Sequence, residues 1–321
     1  MLLDILVIIL GFILLVLGAN VLVKGASNIA KKFHIPEILV GLTIVAIGTS
    51  LPELIVTVIS ASKGSTDLIA GNVIGSNLAN LLLILGVMAV IKPIDIEKST
   101  KKIYLPILLA SSVIIIAMGL GIFGGEKFDI NRTEGFILFI FSIIYFAFPI
   151  ILQINNIKHS SEDNEEATQE KQYSLISSII YIILGAILLK YGGDFVVDGS
   201  TNFASKIGIS ERVIGLTIVA IGTSLPELIT SIIAIIKHDD DIAEGNIIGS
   251  CIVNSFLILG TGAALIDIPF GENLIKNLFL LAGATLLIWL FSYANKDSRI
   301  NRNDGILLLC IYALYITKLF I

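Results

Sequence analysis

The sequence predicts an all-α integral membrane protein with ten transmembrane helices, arranged as two inverted five-helix repeats. Three observations carry that expectation. The chain of 321 residues is 55% apolar and only 15% charged, with a mean hydropathy of +0.95, whereas soluble domains run at roughly 45–50% apolar and 25% charged. Its apolar residues fall in long blocks, many near the ~20 residues that a helix needs to cross a bilayer. The third observation is that a stretch of the first half recurs in the second half at an offset of 174 residues. So few charges could not cover a soluble protein of this size, which excludes secreted disulfide scaffolds, nucleic-acid binders and disordered chains.

Hydropathy places the spans at 3–30, 36–62, 67–91, 103–123, 133–154, 174–206, 211–237, 241–266, 275–294 and 303–320. The first is a span and not a cleaved signal, because Asp4 stands where a signal peptide carries positive charge and the apolar run continues to Val23. The first and sixth are long and end in polar, Gly-containing stretches. The segment 155–172, NNIKHSSEDNEEATQEKQ, is the one extended hydrophilic stretch. It reads as a solvated linker between a first repeat at 1–154 and a second at 173–321, too short to be a folded domain.

Ten spans put both termini on one side. The loops after odd-numbered spans then hold 12 Lys and Arg against 7 on the opposite side. The positive-inside rule therefore places the termini outside and the 155–172 linker in the cytoplasm; the compact form of the chain makes a plasma membrane the expected compartment. Net charge is −5 and no polybasic patch points to nucleic acid. Cys251 and Cys310 lie in apolar runs and support neither a disulfide framework nor a thiolate metal site. The bilayer is the expected partner; no cofactor, protein partner or enzymatic activity is expected.

Residues 41–86 and 215–260 align without a gap, with about 28 of 46 positions identical, and Gly41–Ile55 matches Gly215–Ile229 throughout. Each half holds five spans, an odd number, so the second copy must enter the membrane from the other side. Inverted repeats of this kind build secondary transporters, with substrate sites near the midplane where the copies meet.

Inside the repeat, Gly48-Thr49-Ser50-Leu51-Pro52-Glu53 and Gly222-Thr223-Ser224-Leu225-Pro226-Glu227 interrupt apolar spans. An unpaired carboxylate there costs at least about 2.5–3.5 kcal/mol, and a structural role would need a neutral Glu or a lysine partner. Lys24 and Lys190, the lysines inside spans, do not occupy equivalent repeat positions. A cation site explains why both copies carry the acid. Proline lacks an N–H, so the carbonyl four residues back, on Gly48 or Gly222, loses its helix partner. Freed carbonyls near 45–49 and 219–223 become candidate ligands. Thr49, Ser50 and Glu53 share one helix face by their spacing, and the carbonyls of Ala46 and, in the second copy, Ala220 lie on it too.

The next span carries Asn72, Ser76 and Asn80 spaced four apart, and the second copy carries Asn246, Ser250 and Asn254. Alone, such a stripe serves equally well as helix–helix glue; beside the Glu-bearing spans it forms a second wall of oxygen ligands. The set contains only oxygen donors, which suits hard cations such as Na⁺, Ca²⁺, Mg²⁺ or Mn²⁺, and its flexible mixture of carbonyls and carboxylates suits Ca²⁺ better than Mg²⁺. Two carboxylates neutralise one Ca²⁺ or two Na⁺, an equivalence that an exchanger needs.

Two copies of GTSLPE, each followed by GN-x-x-GS, in a ten-span inverted repeat resemble the sodium/calcium exchanger family of the calcium/cation antiporter superfamily, in a compact prokaryotic-type form. The likeness covers nearly the whole chain. It implies a bundle that works by alternating access, spans 1 and 6 sliding against the other eight, with four neighbouring cation sites at the midplane. Glu53 and Glu227 would be ligands shared by Ca²⁺ and Na⁺, and Thr49 and Thr223 would add carbonyl and hydroxyl oxygens. Ser50, Ser224, Ser76, Ser250 and the Ala46 and Ala220 carbonyls would hold Na⁺, with Asn80 beside the central site. Several relatives carry Asp where this chain has Asn254, which removes one possible charge and argues against K⁺ coupling. Gly75 and Gly249 stand where cation/proton relatives carry Glu, which favours Na⁺ as the driving ion.

The resemblance thus implies Na⁺/Ca²⁺ antiport. The alternatives are exchange of H⁺ for Ca²⁺ or another divalent ion, a cation channel, and a membrane scaffold. The close duplication speaks against a channel, and the duplicated Glu-Thr-Ser set speaks against a scaffold.

Overall fold

The computed structural model describes residues 1–33, 35–125, 128–159, 174–208, 222–295 and 298–320. The helices are α1 (Leu2–Phe33), α2 (Glu37–Thr49), α3 (Leu51–Ser62), α4 (Thr66–Ile91), α5 (Thr100–Gly119), α6 (Arg132–His159), α7 (Leu175–Lys206), α8 (Leu225–Ile236), α9 (Asp240–Leu265), α10 (Gly271–Ala294) and α11 (Arg302–Phe320). Among the described residues, seven are long and apolar enough to cross a membrane, and the bent pair α2–α3 makes an eighth. The expected count of ten is therefore not reached on length and hydropathy. Helix α8 has only 12 residues, and 211–221, the first part of the expected seventh span, lie outside the described residues. Helix α11 carries Arg302, Asp304 and Lys318 on 19 residues. Helix α6 continues to His159, past the expected end of its span.

Burial separates a centre from a periphery. The apolar windows of α4 and α9 are 72% and 83% buried, against 28% for α1 and for α7. The central helices are thus the two that carry the repeated Asn-Ser stripe. Large apolar side chains such as Leu6, Phe12, Ile180 and Ile183 face outward from α1 and α7, as a lipid-facing surface requires.

Helices α1 and α7 are repeat counterparts, and they pack on each other through glycines spaced seven apart. A Cβ added to Gly18 would lie 2.9 Å from the Gly185 carbonyl, one added to Gly11 2.8 Å from the Gly192 carbonyl, and one added to Gly25 2.8 Å from the Ser178 carbonyl. Small residues let membrane helices approach this closely. Contacts that run up one helix run down the other, so the pair is antiparallel.

Two short ladders tie the loops together. Strand β1 (Ile94–Asp95) pairs with β4 (Arg299–Ile300), and β2 (Asp129–Ile130) pairs with β3 (Ile268–Pro269). An Arg299–Asp95 ion pair clasps the first. By the 174-residue offset β3 is the counterpart of β1. The ladders lie at opposite ends of α5, because β1 precedes that helix and β2 follows it.

Candidate cation site

The site begins at two chain breaks. Helix α2 gives way to α3 at Ser50 with a 46° bend, and Ser50 has φ −87°, ψ 8°. Ser224, before α8, has φ −89°, ψ 4°. The two serines thus share one backbone conformation. In each, proline occupies the first turn of the following helix, where a missing N–H costs no hydrogen bond. The expected opening of the preceding turn is partial, because the Ala46 carbonyl accepts from Ser50 N–H at 3.0 Å and from Thr49 Oγ1 at 3.3 Å. Ala220 lies outside the described residues.

Glu53 and Glu227 sit in the first turns of α3 and α8 and are fully buried. A helix N-terminus carries partial positive charge, which favours a carboxylate there by about 0.3–1 kcal/mol. That is far below the cost of burying an ionised group. Further compensation comes from hydroxyls: Ser50 Oγ donates to Glu227 Oε1 at 2.8 Å and Ser76 Oγ to Glu53 Oε1 at 3.5 Å. The second carboxylate oxygen of each Glu has no partner. Lys190, one of the two intraspan lysines, pairs with Asp194 instead.

Helices α4 and α9 form the facing walls. Asn72 Nδ2 donates to the Glu53 carbonyl and Asn246 Nδ2 to the Glu227 carbonyl, both at 3.4 Å. The same bond in each copy fastens a carboxylate helix to a stripe helix. Asn246 also receives Thr49 Oγ1 on Oδ1 at 2.9 Å, and Thr49 Oγ1 lies 3.4 Å from Ser250 Oγ. These bonds make Asn72 and Asn246 braces as much as candidate ligands. Asn80 and Asn254 lie in π-helical turns, Ala79–Ile84 and Asn254–Ile258, a distortion that recurs at functional sites. Both amide atoms of Asn80 and Oδ1 of Asn254 are buried without partners.

The structure brings together Thr49, Ser50, Glu227, Asn246 and Ser250, and separately Glu53, Ser76 and Asn72. Among the described residues, Thr223 and Ser224 do not repeat the bonds that Thr49 and Ser50 make to the opposite repeat: Ser224 Oγ has no partner, and Thr223 is half-buried and lines a cavity. Residues absent from the sequence reading join the site. Asn77 donates to Ser255 Oγ at 3.0 Å and accepts from Asn254 Nδ2 at 3.1 Å. Thr57 and Thr230, within one turn of the glutamates, hold unpartnered buried hydroxyls. The signal for Asn77 and Ser255 was their place inside or beside the stripes; the requirement of a matching repeat counterpart passed over both.

Among the described residues no group of three or more His, Cys, Asp or Glu could hold a metal. Ligation here rests on two carboxylates and the neutral oxygens around them. Seven unpartnered buried oxygens, on Glu53, Glu227, Asn80, Asn254, Thr57, Thr230 and Ser224, are an expensive feature in an apolar interior unless a cation answers them.

Comparison with known proteins gives three findings. The family model described as sodium/calcium exchanger protein matches residues 3–151 and 177–321. The sodium/calcium exchanger MaX1 of Methanosarcina acetivorans is 30% identical, over 99% of this chain and 98% of its own length, and the inner membrane protein YrbG of Escherichia coli is 32% identical, over 100% and 98%. A solved structure of the sodium-calcium exchanger NCX_Mj, soaked with zero Na⁺ and Ca²⁺, superposes with a TM-score of 0.82 at 31% identity, covering 99% of each chain.

Proposed function

The chain belongs to the sodium/calcium exchanger family, and from that premise we propose that it is a Na⁺/Ca²⁺ antiporter working by alternating access. At the coarser level it is a multi-span membrane protein of an antiporter family that handles Ca²⁺ and other cations.

The observation that carries the finer reading is the pair of fully buried glutamates, each with one unanswered oxygen, at matched breaks in the two repeats. Together they bear two negative charges, which one Ca²⁺ or two Na⁺ would neutralise. A neutral, desolvated load lets the site pass a low-dielectric barrier; an empty, doubly charged site does not. Exchange follows, because the site crosses only when loaded. Glu53 and Glu227 serve as shared ligands in this reading. Ser50, Ser76, Ser224, Ser250, Thr49 and Thr223 complete the shells, with the Ala46 and Ala220 carbonyls, and Asn80 and Asn254 sit beside the centre. Asn72 and Asn246 hold the walls in register.

Two features support the inverted reading of repeats 1–154 and 173–321. The counterparts α1 and α7 run antiparallel, and the counterpart strands β1 and β3 sit at opposite ends of α5. The small buried share of α1 and α7 supports their role as the moving pair. The charge distribution of the loops supports a plasma-membrane orientation with the 155–172 linker in the cytoplasm and both termini outside.

The test uses purified protein in sealed vesicles. Loaded with Na⁺ and diluted into Na⁺-free buffer, they take up labelled Ca²⁺ if the proposal holds. Uptake that follows a proton gradient and ignores Na⁺ would make the protein an H⁺/Ca²⁺ exchanger and overturn it.

A further inference from the structure

Lys190 stands near the middle of α7, 15 residues from its start at Leu175. An ionisable residue at that depth faces the bundle or a water-filled cavity and marks an ion path by default. Here it lies in a cavity of about 180 Å³ lined also by Asp194, Asp198, Pro52, Pro226 and Thr223. The two prolines precede Glu53 and Glu227, so the cavity meets the site at both chain breaks. Lys190 Nζ pairs with Asp194 across one helical turn, and Asp198, one turn further, is exposed. The three residues run away from the end of α7 that follows the linker, so the cavity opens to the face opposite the linker.

The repeat does not share these charges. The counterparts of Lys190, Asp194 and Asp198 on α1 are Val16, Asn20 and Lys24. The counterpart path, on the linker side, therefore has no acid at those three positions. Acidic charge at these positions lies on one side of the exchange cycle only, and the counterpart of Asp198 is the oppositely charged Lys24.

We infer that Lys190, Asp194 and Asp198 form an electrostatic filter in the access vestibule on the face opposite the linker. The inference rests on the exchange reading above. The two aspartates draw cations in. The Lys190 ammonium is a tethered cation that competes for Asp194 and repels each arriving ion in proportion to its charge. A unit charge acting across a wet vestibule at about 10 Å shifts local occupancy by about twofold for a monovalent ion and, as the square, about fourfold for a divalent one. Lys190 thus sets the relative apparent affinity for Ca²⁺ and Na⁺ on that face, and leaves the site chemistry and the linker face unchanged.

The test is Na⁺-driven uptake of labelled Ca²⁺ by the full chain in vesicles sorted by orientation, at two ionic strengths set with choline chloride. Lys190→Met is expected to lower the half-saturating Ca²⁺ on the far face about fourfold and the half-saturating Na⁺ about twofold. Asp198→Asn is expected to raise them by the same factors, and Lys190→Arg to leave them as they are. Saturating turnover and the linker-face values stay constant, and the shifts, full at low ionic strength, shrink as the screening length falls from about 30 Å at 0.01 M toward about 3 Å at 1 M. Should Lys190→Met fail to insert, Asp198→Asn decides alone. Equal factors for the two ions, shifts that survive high ionic strength, or equal shifts on both faces overturn the filter. A wild-type chain without Na⁺-driven uptake overturns the exchange reading itself; normal wild-type exchange with unshifted variants overturns the filter alone.

Discussion

Ser50 of the first repeat donates its hydroxyl to the Glu227 carboxylate of the second at 2.8 Å, while Ser224, the counterpart of Ser50, has no partner. The two halves are therefore unequal in this conformation: the serine of the first motif is closed onto the opposite carboxylate, and the serine of the second is unanswered, while the cavity reaches both breaks at Pro52 and Pro226. A hydrogen bond to a buried charge is worth about 1.5–3 kcal/mol. Ser50→Ala is expected to weaken the half-saturating Na⁺ by on the order of tenfold, and Ser224→Ala by less when the ion is offered from the cavity face. Sided measurement of Na⁺-dependent Ca²⁺ release checks both. Identical effects from the two serines on either face would remove the functional meaning of the asymmetry.

The glutamates are the stricter case. Glu53→Gln or Glu227→Gln keeps the shape and deletes half of the site's charge, leaving a bound Ca²⁺ uncompensated in an apolar interior. Breaking a buried ionic pairing on one side costs about 3–5 kcal/mol, so Ca²⁺ affinity is expected to fall by more than a hundredfold and exchange to stop, with the protein still inserted. Calorimetric Ca²⁺ titration of each purified variant, beside vesicle uptake, measures this. Near-normal uptake in either variant takes that residue out of the ligand set.

Much of this site could be read in the sequence, for a physical reason. A proline and a carboxylate in an apolar span are both costly, and their exact doubling at Pro52–Glu53 and Pro226–Glu227 marks function before any coordinates; the matching backbone angles at Ser50 and Ser224 follow from the matching sequences. The π-turns at Asn80 and Asn254 were not legible, because one extra residue per turn changes register without changing composition. Asn77 was hidden because its counterpart is Cys251, and a search by repetition discards what only one copy carries. On α7, Lys190 stood out in the sequence only as an unmatched lysine inside a span, and Asp194 and Asp198 escaped for the same reason. Span ends were the loosest part: hydropathy stops where polar residues begin, yet α6 carries its helix on to His159.

The glycine contact between α1 and α7 separates stability from ion handling. A Cβ at Gly185 would lie 2.6 Å from Leu22 Cβ and 2.8 Å from the Gly18 carbonyl, with backbone in the way. Overpacking of this kind costs about 1–3 kcal/mol. If α1 and α7 move as one body, the cost falls on the joint inside that body. Gly185→Ala is then expected to lower Tm in detergent by several degrees while the half-saturating Na⁺ and Ca²⁺ stay as in the wild type. A change in either ion constant at unchanged Tm would show that α1 and α7 slide against each other during the cycle.

Asn254 tests the charge arithmetic. Its Nδ2 donates to Asn77 Oδ1 at 3.1 Å, and Asn77 Nδ2 is already committed to the Cys251 carbonyl and to Ser255 Oγ. An ionised Asp at 254 would set an acceptor against an acceptor, and only a protonated Asp keeps the donor that Asn254 supplies. In Asn254→Asp, the protonated form is therefore expected to reproduce wild-type exchange. The ionised form adds a third negative charge to the site and calls for one more positive charge per loaded state. Exchange by the variant should match the wild type at low pH and diverge as pH rises, with a reversal potential that moves by the extra charge. Ca²⁺ flux at clamped potential across a pH series reads this directly. A flat pH profile with an unmoved reversal potential would mean that position 254 lies outside the charge balance, and that the two glutamates set the stoichiometry by themselves.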